Sequence, residues 1–258
     1  MLYKNYEKFI FDLDGTIYKG NLIIEGAIET INEIKASSKK LIFVSNKTTD
    51  LPEDYYQFLK SAGAQIDRGD IITSTMVIGK YLTENLKGKK FYTIGEEKFI
   101  NYLLNCGLFY SENSDEIEIV IITLDRTFNF NKFEIAAKAL ERNARFFAAN
   151  IDDTCPVENG EITDAGSIIS ALEKRTHRKL ELHFGKPSEF MQSFIKEKLG
   201  NNLEKTLLVG DRISTDIIMA NLMRIDSALV ETGIKNYNYI TAEHIPKYKF
   251  KSVHNLII

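Results

Sequence analysis

The segment Phe11-Asp12-Leu13-Asp14-Gly15-Thr16 stands at the end of an apolar run, Lys8–Leu13, whose pattern predicts a β-strand. Two carboxylates spaced two residues apart can approach one Mg²⁺ or act as a nucleophile and an acid. In isolation such a segment is most often a surface turn, so its meaning depends on the rest of the chain. A calcium-binding loop is excluded because Ile17 and Ile23 stand where that loop requires glycine and glutamate.

Short apolar runs alternate along the chain with longer helical patterns, which is typical of an α/β protein with a parallel sheet. The predicted strands are Lys8–Leu13, Lys40–Val44, Lys90–Ile94, Glu118–Thr123, Arg145–Ala149, Thr206–Val209 and Ser227–Val230. The predicted helices are Gly26–Ser37, Glu53–Ala62, Met76–Leu86, Lys132–Asn143, Gly166–Thr176 and Glu189–Leu199. We therefore predict a Rossmann-like, doubly wound core built on a parallel sheet.

Polar residues follow four of the apolar runs at the points where the runs end. Besides the first segment, these are Ser45-Asn46, Gly185-Lys186-Pro187 and Gly210-Asp211-Arg212. Because the carboxyl ends of the strands share one edge of a doubly wound sheet, we expect these residues to converge on one site. Each segment alone has an ordinary reading as a turn, a helix cap or a solvated charge. Their conjunction is what indicates a site.

The long stretch between Ser45 and Lys186 has its own alternation of strands and helices, which predicts an inserted second domain. We predict that residues 1–78 form the first part of the core, residues 79–181 an inserted α/β domain, and residues 182–258 the second part of the core. The predicted site would then combine residues from both parts of the core.

The converging residues are those that metal-assisted phosphoryl transfer requires. Magnesium prefers a few hard oxygen ligands, which Asp12, Asp211 and a backbone carbonyl near Asp14 would supply. Asp12 could attack phosphorus and form an aspartyl-phosphate, while Asp14 protonates the leaving alkoxide and later deprotonates the hydrolytic water. We expect Mg²⁺ to offset the repulsion between carboxylate and phosphate and to stabilise the transferring phosphoryl group.

Other residues at these strand ends are candidates for binding the phosphate. Lys186 would neutralise a non-bridging oxygen, and the Ser45 hydroxyl would donate a hydrogen bond to one. Gly15 and Thr16 open a tight turn whose backbone N–H groups could also face the phosphate.

Composition and charge exclude several other classes of protein. The 258 residues include 33 basic and 36 acidic side chains, for a formal charge of -3, so no basic field indicates a nucleic-acid partner. The apolar run Ile117–Leu124 is interrupted by Glu118 and is too short to span a membrane. Lys4, Glu7 and Lys8 stand where a signal peptide would be apolar, so we expect a cytoplasmic protein.

These segments resemble the motifs of the haloacid dehalogenase-like hydrolases, and the resemblance covers nearly the whole chain. It implies that Asp12 is the nucleophile, that Asp14 is the general acid and base, and that Ser45-Asn46 and Lys186 bind phosphate. Ser45 stands where many members have threonine, a change that keeps the hydroxyl. A magnesium-dependent phosphatase is the activity that the resemblance implies.

The last motif of this family is matched by Gly210-Asp211-Arg212-Ile213-Ser214-Thr215-Asp216. The match implies that Asp211 is a magnesium ligand and that Asp216 supports it, either by ligating the metal or by contacting a ligand. Asn221 and Arg224 occupy places where members of the family commonly have glycine. This departure affects the expected geometry of the following helix and loop rather than the metal site.

The inserted stretch resembles the α/β cap of the 4-nitrophenylphosphatase-like, NagD-type group. The matching segments are Leu124 to Phe130, Ala149 to Asp153, Cys155-Pro156 and Asp164 to Ser167. The group implies a mobile cap and small phosphorylated substrates such as sugar phosphates, nucleotides, phosphoglycolate or pyridoxal phosphate. The stretch from Asp12 to Asn46 looks nearest to the sugar-phosphate phosphatases of the group. Caps of this kind can pair, so the resemblance allows a homodimer through the cap and leaves the oligomeric state open.

Within the cap, Asn150 and Asp152 are candidates for contacting the leaving group. The alternative is that the tract from Asn150 to Pro156 is an ordinary transition from strand to loop. Asp125-Arg126 is interpreted as a structural ion pair or loop anchor.

Four rival functions have distinct sequence requirements. A dehalogenase needs no second acid, and a nicotinamide dehydrogenase needs a Gly-X-Gly-X-X-Gly segment that is absent after the first strand. A binding module without turnover would not need nucleophile, acid, lysine and metal aspartate together. A phosphomutase would share all four motifs, and the sequence leaves that alternative open.

Overall fold

The computed structural model describes residues 1–157, 160–234 and 241–258, which fold around two parallel β-sheets and two short hairpins. The strands are β1 (Lys8–Asp12), β2 (Tyr18–Lys19), β3 (Leu22–Ile23), β4 (Lys40–Ser45), β5 (Ile71–Thr73), β6 (Lys90–Ile94), β7 (Phe109–Tyr110), β8 (Ile119–Ile122), β9 (Arg145–Ala148), β10 (Thr154–Val157), β11 (Gly160–Thr163), β12 (Leu182–His183), β13 (Thr206–Gly210), β14 (Asp226–Val230) and β15 (Tyr248–Phe250). The helices are α1 (Ala27–Ala36), α2 (Pro52–Ser61), α3 (Ser74–Asn85), α4 (Glu97–Asn105), α5 (Phe130–Glu141), α6 (Ala165–Thr176), α7 (Glu189–Leu199) and α8 (Ile218–Leu222). A π-helical turn at Ile213–Ile217 leads into α8.

Within the described residues, the larger sheet holds six parallel strands in the order β15-β14-β13-β1-β4-β5. Its strand β1 has Phe11 beside Val209 of β13 and Phe43 of β4. Alternate residues of β1 face opposite sides, so Phe9 and Phe11 pack with α1 and α2 whereas Ile10 packs with α3 and α7. Burial on both faces explains why these strands read as continuous apolar runs.

The smaller sheet has five parallel strands among the described residues, in the order β12-β9-β8-β6-β7. Helices α5 and α6 cover one of its faces through apolar residues such as Leu140 and Leu172. Helix α4 covers the other face with Phe99 and Leu103, and this apolar cluster continues into α3 and α7 of the larger sheet. The two sheets therefore share one hydrophobic cluster.

An aromatic group ties the two sheets together. The ring of Tyr81 in α3 contacts the rings of Phe147, Phe184 and Phe190, with centroids 6.2, 4.9 and 5.2 Å away. Phe147 lies in β9, Phe190 lies in α7, and Phe184 directly follows β12. Because Phe184 is fully buried in this group, the start of the loop that carries Lys186 is fixed by packing.

The predicted α/β fold class is confirmed. Each predicted strand and helix is present, with ends within two residues of the prediction. The prediction missed the two- and three-residue strands, because runs of that length are too short for hydrophobic periodicity to register, and it missed the β10–β11 hairpin and α8 as well. It also missed α4, although Phe99 and Leu103 have the i, i+4 spacing of an amphipathic helix.

The predicted domain boundaries stay a prediction. Strand β12 pairs with β9, so the smaller sheet extends two residues beyond the predicted boundary at 181. Helix α3 crosses the first predicted boundary without interruption. In the part of the chain that the structure describes, no helix has the length and apolar character needed to cross a membrane.

Candidate active site

Three of the predicted site residues lie at adjacent strand ends of the larger sheet. Asp12 is the last residue of β1, Ser45 is the last residue of β4, and Asp211 directly follows β13. Since β13, β1 and β4 are neighbours, the three residues share one edge of the sheet, as expected from the sequence. All three are buried.

Lys186 reaches the same site from the smaller sheet. The strand before it, β12, pairs with β9, so the expectation that Lys186 follows a strand of the core sheet is wrong. The loop after β12 is held by Asn46, whose amide oxygen accepts a hydrogen bond from the backbone N–H of Lys186 at 2.7 Å. The amide nitrogen of Asn46 donates to the Lys186 carbonyl at 3.3 Å. Lys186 is therefore positioned by the side chain of Asn46 and not by a strand paired within the larger sheet.

Asn46 acts in this structure as a positioning residue. Besides its two bonds to Lys186, its amide nitrogen donates to Oδ2 of Asp152 at 2.8 Å. Both polar atoms of the side chain are thus engaged by protein groups in this structure, and the binding of phosphate by Asn46 stays a prediction.

Within the described residues, Asp12, Asp211 and Asp216 form a carboxylate group that could hold a metal ion, with one oxygen of each within 4.8 Å of the others. The Nζ atom of Lys186 lies 2.5 Å from Oδ1 of Asp12 and 2.7 Å from Oδ1 of Asp216. Three buried acids and one lysine leave an excess of negative charge in a poorly hydrated place. A divalent cation fits this donor set, because carboxylate oxygens are hard ligands.

The pKa values of the three acids reflect this excess of charge. Burial raises the pKa of Asp12, although the ammonium group of Lys186 acts in the opposite direction. Burial, followed by the charges of Asp12 and Asp216, raises the pKa of Asp211 well above its usual range. Burial also raises the pKa of Asp216 to about 6, against the effect of Lys186. A cation among the carboxylates would favour their ionised forms and lower all three pKa values.

The side chain of Asp14 lies outside this carboxylate group. Its Oδ2 atom is 3.0 Å from Nζ of Lys47, whereas Oδ1 is buried and has no hydrogen-bond partner among the described residues. Burial raises the pKa of Asp14, and the charge of Lys47 opposes this shift. Asp216 therefore completes the carboxylate group. Any contribution of Asp14 to metal binding would come from its backbone. Lys47 is a site residue that sequence reasoning missed, although it directly follows Ser45-Asn46.

Gly15 has a steric role in the site. Its φ angle is +91°, and a Cβ at this position would lie 2.6 Å from Oδ2 of Asp211. Its N–H donates to the Tyr18 carbonyl at 2.7 Å, and the N–H of Thr16 donates to the Leu13 carbonyl at 3.2 Å. Both N–H groups donate inside the turn in this structure, and their contact with a phosphate stays a prediction. Only glycine allows the turn to approach Asp211 so closely.

The π-helical turn after β13 brings Asp216 back to the sheet edge. Such turns shift the following side chains relative to an α-helix and are frequent at functional sites. The Oδ2 atom of Asp216 accepts a hydrogen bond from the backbone N–H of Arg212 at 3.1 Å. A Cβ on Gly210 would lie only 2.3 Å from Cγ of Asp216. Glycine at this position therefore makes room for the carboxylate.

Asp152 and Arg212 join the smaller sheet's loops to the larger sheet. Nε of Arg212 lies 3.5 Å from Oδ1 of Asp152, and Nη2 donates to the Thr154 carbonyl at 2.9 Å. Asp152 also accepts a hydrogen bond from Asn150, which is 1% exposed and donates to Asp164 as well. Asp152 lines the site, but its oxygens are bound by protein groups. Asn150 holds Asp152 and Asp164 through these hydrogen bonds, and its contact with the leaving group stays a prediction.

These residues enclose a cavity of about 50 Å³. A water molecule needs about 10–15 Å³ measured in this way, so the space suits a phosphoryl group with a cation or a few waters. It is too small for a whole sugar phosphate. Its lining consists of Asp12, Asp14, Ser45, Asn46, Lys47, Asp152, Thr154, Cys155, Pro156, Asp164, Lys186, Asp211, Arg212, Thr215 and Asp216.

Comparisons with known proteins agree with this arrangement. The family described as haloacid dehalogenase-like hydrolase matches residues 9–109, and a second family described as HAD-hydrolase-like matches residues 183–256. The sugar-phosphatase AraL of Bacillus subtilis is 32% identical over 224 residues, which cover 87% of this chain and 82% of that protein.

Two solved structures are similar over the whole chain. The p-nitrophenyl phosphatase from Archaeoglobus fulgidus has a TM-score of 0.86 and 30% identity, and the match covers 97% of this chain and 98% of that one. The glycerol phosphate phosphatase from Mycobacterium tuberculosis, in complex with magnesium, has a TM-score of 0.85 and 26% identity over 99% of this chain and 77% of that one.

Fold, site and comparisons together define a hydrolase of α/β architecture, and the chain belongs to the haloacid dehalogenase-like hydrolases. The predictions of a phosphatase and of a resemblance to the 4-nitrophenylphosphatase-like group are confirmed. Phosphatases of this family use a divalent metal, which accords with the carboxylate group formed by Asp12, Asp211 and Asp216.

Asp164 is a further acid in the lining that the pattern did not single out as functional. It caps α6, accepting hydrogen bonds from the N–H of Ala165 at 2.6 Å and from Asn150 at 3.1 Å. Burial, followed by the charge of Asp152, raises the pKa of Asp164 to about 6. The folded protein therefore holds a proton on Asp164 more tightly than the unfolded chain does, and this contribution to stability is lost as the pH rises through 6.

We expect Asp164→Asn to stabilise the fold at pH 7.5 relative to the wild type, because asparagine keeps the helix cap and needs no buried charge. The gain should be about 1–3 kcal/mol at pH 7.5 and should disappear towards pH 4, where the wild-type carboxyl is protonated. Urea unfolding at several pH values would measure the difference.

The control is Asp226→Asn, which should behave in the opposite sense. Burial alone would raise the pKa of Asp226, but the hydrogen bonds from Lys247 and Tyr6 lower it below its usual value. Its ionised form is thus favoured by folding, and this variant should be less stable than the wild type at pH 7.5. A stability difference for Asp164→Asn that stays constant from pH 4 to 7.5 would refute the buried-charge explanation.

Proposed function

We propose that this phosphatase hydrolyses phosphate monoesters of small metabolites, with sugar phosphates as the main class, by a magnesium-dependent reaction at Asp12. The observation that carries the proposal is the buried group of Asp12, Asp211 and Asp216 with Lys186 against it. A phosphate dianion could enter this negative site only with a cation present, because like charges repel strongly in a poorly hydrated cavity.

Mg²⁺ is the cation we propose, and Asp12, Asp211 and Asp216 would hold it together with a backbone carbonyl near Asp14. Oδ2 of Asp12 is buried and has no hydrogen-bond partner among the described residues, as expected of an atom reserved for a cation or for phosphorus. When bound, the cation would neutralise the approaching phosphate and stabilise charge on the transferring group.

Asp12 is the proposed nucleophile. Lys186 fixes the carboxylate by binding Oδ1, so the side chain is oriented before substrate arrives. An oxygen of Asp12 would attack phosphorus and form an aspartyl-phosphate as the bond from phosphorus to the alcohol oxygen breaks. Water would then attack the same phosphorus, releasing phosphate and restoring the carboxylate.

Asp14 is the proposed acid and base. Its carboxyl would give a proton to the leaving alcohol oxygen and take one from the water that hydrolyses the intermediate. Burial raises its pKa, which helps it to carry a proton for the first step. Lys47, at 3.0 Å, holds one oxygen of Asp14, and the second oxygen has no hydrogen-bond partner in the described part of the chain.

Ser45 and Lys186 are the proposed phosphate ligands. The Ser45 oxygen accepts a hydrogen bond from the N–H of Lys47 at 3.1 Å, which leaves its hydroxyl proton to donate to a phosphate oxygen. Lys186 carries the positive charge, and the buried acids around it raise its pKa even though burial opposes this.

A homodimer through the smaller sheet's unit remains part of the proposal.

Sugar phosphates are supported by the sequence likeness to the sugar-phosphatase AraL. The cavity has room for the phosphoryl group, so the alcohol part of the substrate has to lie outside it. Release of phosphate from a panel of phosphorylated sugars, polyols, nucleotides and 2-phosphoglycolate would test the class directly. Highest kcat/KM for a nucleotide or for phosphoglycolate would overturn the assignment to sugar phosphates.

We expect Mg²⁺ to raise the melting temperature of the wild type, because it binds the folded carboxylate group and not the unfolded chain. At a concentration a hundred times the Kd, the stabilisation is about 2.7 kcal/mol, or about 5–10 °C for a chain of this size. Asp211→Asn should lose most of this shift. Asp115→Asn, at an exposed residue paired with Arg142, should keep it. A full shift in Asp211→Asn would argue against this metal site.

Asp12→Asn should abolish hydrolysis of p-nitrophenyl phosphate, lowering kcat by at least about 10³-fold, because the amide is not a nucleophile. The fold should be retained, as judged by circular dichroism, since the two side chains have the same shape. Asp115→Asn again serves as the matched control. Turnover by Asp12→Asn near that of the wild type would rule out the proposed nucleophile.

Asp14→Asn should have effects that depend on the leaving group. General acid catalysis contributes about 10²–10⁴-fold, and alkyl phosphates need it because an alkoxide is a poor leaving group. p-Nitrophenolate leaves readily without a proton, so its release should slow much less. Steady-state kinetics with both substrates would measure the contrast, and equal losses would contradict the role of Asp14 as acid.

A further inference from the structure

Lys47 is a cation in the lining of the catalytic cavity, and the proposed reaction gives it no step of its own. Its Nζ atom lies 3.0 Å from Oδ2 of Asp14, and the side chains of Lys47 and Asp14 are 21% and 12% exposed. Salt screens an ion pair that is largely removed from water less than it screens a pair on the surface. The contact is therefore able to restrain the Asp14 carboxyl while a substrate binds and reacts.

The backbone of Lys47 holds a second residue of the site. Its N–H donates a hydrogen bond to the Ser45 hydroxyl oxygen at 3.1 Å, and Ser45 is a proposed phosphate ligand. Ser45 ends β4, whereas Asp14 follows the neighbouring strand β1. One residue thus contacts both the hydroxyl proposed to bind the phosphate and the carboxyl proposed to protonate the leaving oxygen. Lys47 therefore limits the distance between these two groups.

The Asp14 carboxyl has little else to hold it in place. Within the described ranges of the chain, Lys47 is its only hydrogen-bond partner, because Oδ1 has none. An aspartate side chain can rotate about two torsion angles, and Lys186 and Arg212 lie in the same cavity lining as alternative cations. Without Lys47, the carboxyl would be free to turn towards these cations and away from the leaving oxygen.

The position of Asp14 matters because proton transfer depends closely on distance. A general acid has to lie within about 2.6–3.2 Å of the atom that receives its proton, and a misplacement of about 1 Å can reduce a rate about 10²-fold. In phosphoryl transfer the attacking and leaving oxygens are roughly in line, so the leaving oxygen is on the far side of phosphorus from Asp12. Asp14 therefore has to be held apart from Asp12, and Lys47 binds it outside the carboxylate group of Asp12, Asp211 and Asp216.

We infer that Lys47 is a positioning residue, which holds the Asp14 carboxyl at the leaving oxygen and at a fixed distance from the phosphate bound at Ser45. The inference rests on the proposed function, because Lys47 acts through the acid role of Asp14. In this role Lys47 contributes to proton transfer without contacting the substrate.

Direct binding of the phosphate is the other role that a lysine could have here. An ammonium group has three donors, and the contact with Asp14 uses one of them. However, Lys186 is already the cation in contact with Asp12, whereas Lys47 contacts the acid. A direct role would affect every phosphate ester alike, since all of them present the same phosphoryl group. The positioning role affects only esters whose leaving group needs a proton.

The test compares Lys47→Met, Lys47→Arg and the control Lys80→Met on p-nitrophenyl phosphate and on an alkyl ester, glycerol phosphate. Lys47→Met should lower kcat for glycerol phosphate about 10–100-fold with KM nearly unchanged, since a misplaced acid impairs the chemical step. Hydrolysis of p-nitrophenyl phosphate should slow much less, because its leaving group departs without a proton. This remaining activity also shows that the variant is folded.

The other two variants separate the charge of Lys47 from a general effect of losing a lysine. Lys47→Arg keeps a cation beside Asp14 and should lose less activity on glycerol phosphate than Lys47→Met. Lys80 pairs with Glu197 at 2.7 Å and lies outside the cavity lining, so Lys80→Met should match the wild type on both esters.

A double-mutant cycle with Asp14→Asn distinguishes positioning from direct binding. Once asparagine replaces Asp14, no acid is left to position, so adding Lys47→Met should cost little further activity on glycerol phosphate. The same factor of loss in both backgrounds would show that Lys47 acts independently of Asp14 and would overturn the inference. A raised KM with equal losses on both esters would overturn it as well, because that result identifies a phosphate ligand.

Failure of the inference differs from failure of the proposed function. If Asp14→Asn slows both esters equally, the acid role in the proposed function is wrong, and the inference about Lys47 fails with it. If Asp14→Asn shows the contrast between the esters and Lys47→Met does not, the acid role stands and only the positioning role of Lys47 is overturned.

Discussion

The buried contact of Lys186 with Asp12 and Asp216 is the interaction on which the site depends. An ammonium group in a poorly hydrated cavity is stable only when acids surround it, and isolated buried acids are equally unfavourable. The contact draws together the end of β1, the loop after β12 and the π-helical turn after β13. Lys186 contacts two of the three clustered acids, so negative charge exceeds positive charge in the cluster, which is the basis of the proposed cation binding.

Positioning of this lysine links the two sheets. The aromatic group around Phe184 fixes one end of the loop, and the amide of Asn46 fixes the backbone of Lys186 itself. Arg212, next to Asp211, reaches the opposite way and binds Asp152 and Thr154. Each sheet thus supplies contacts that order the other sheet's contribution, so the enclosed cavity exists only while both units are in contact.

Most of the core strands and the site residues at their ends could be predicted from the sequence. Strands buried on both faces leave long apolar runs, and the polar residues that end these runs are easy to recognise. Asp12, Ser45 and Asp211 were found in this way. The route of Lys186 could not be predicted, since β12 has only two residues. The engagement of Asn46 depends on hydrogen bonds with Asp152 and Lys186, which are 106 and 140 positions away, and no local pattern carries such contacts. The buried hydroxyl of Tyr18 has no hydrogen-bond partner among the described residues, and this too is a property of packing that no local pattern carries.

Part of the site depends on two glycines, Gly15 and Gly210, because they have no Cβ atom. The space that a Cβ would fill at Gly15 is occupied by the carboxylate of Asp211, and the corresponding space at Gly210 is occupied by that of Asp216. Every other amino acid carries a Cβ, so the chemical nature of a replacement matters little at these positions. In a complete substitution library, every replacement at these two positions should lower activity. At a position such as Ser45, replacements that keep a hydroxyl should retain more activity than those that lose it.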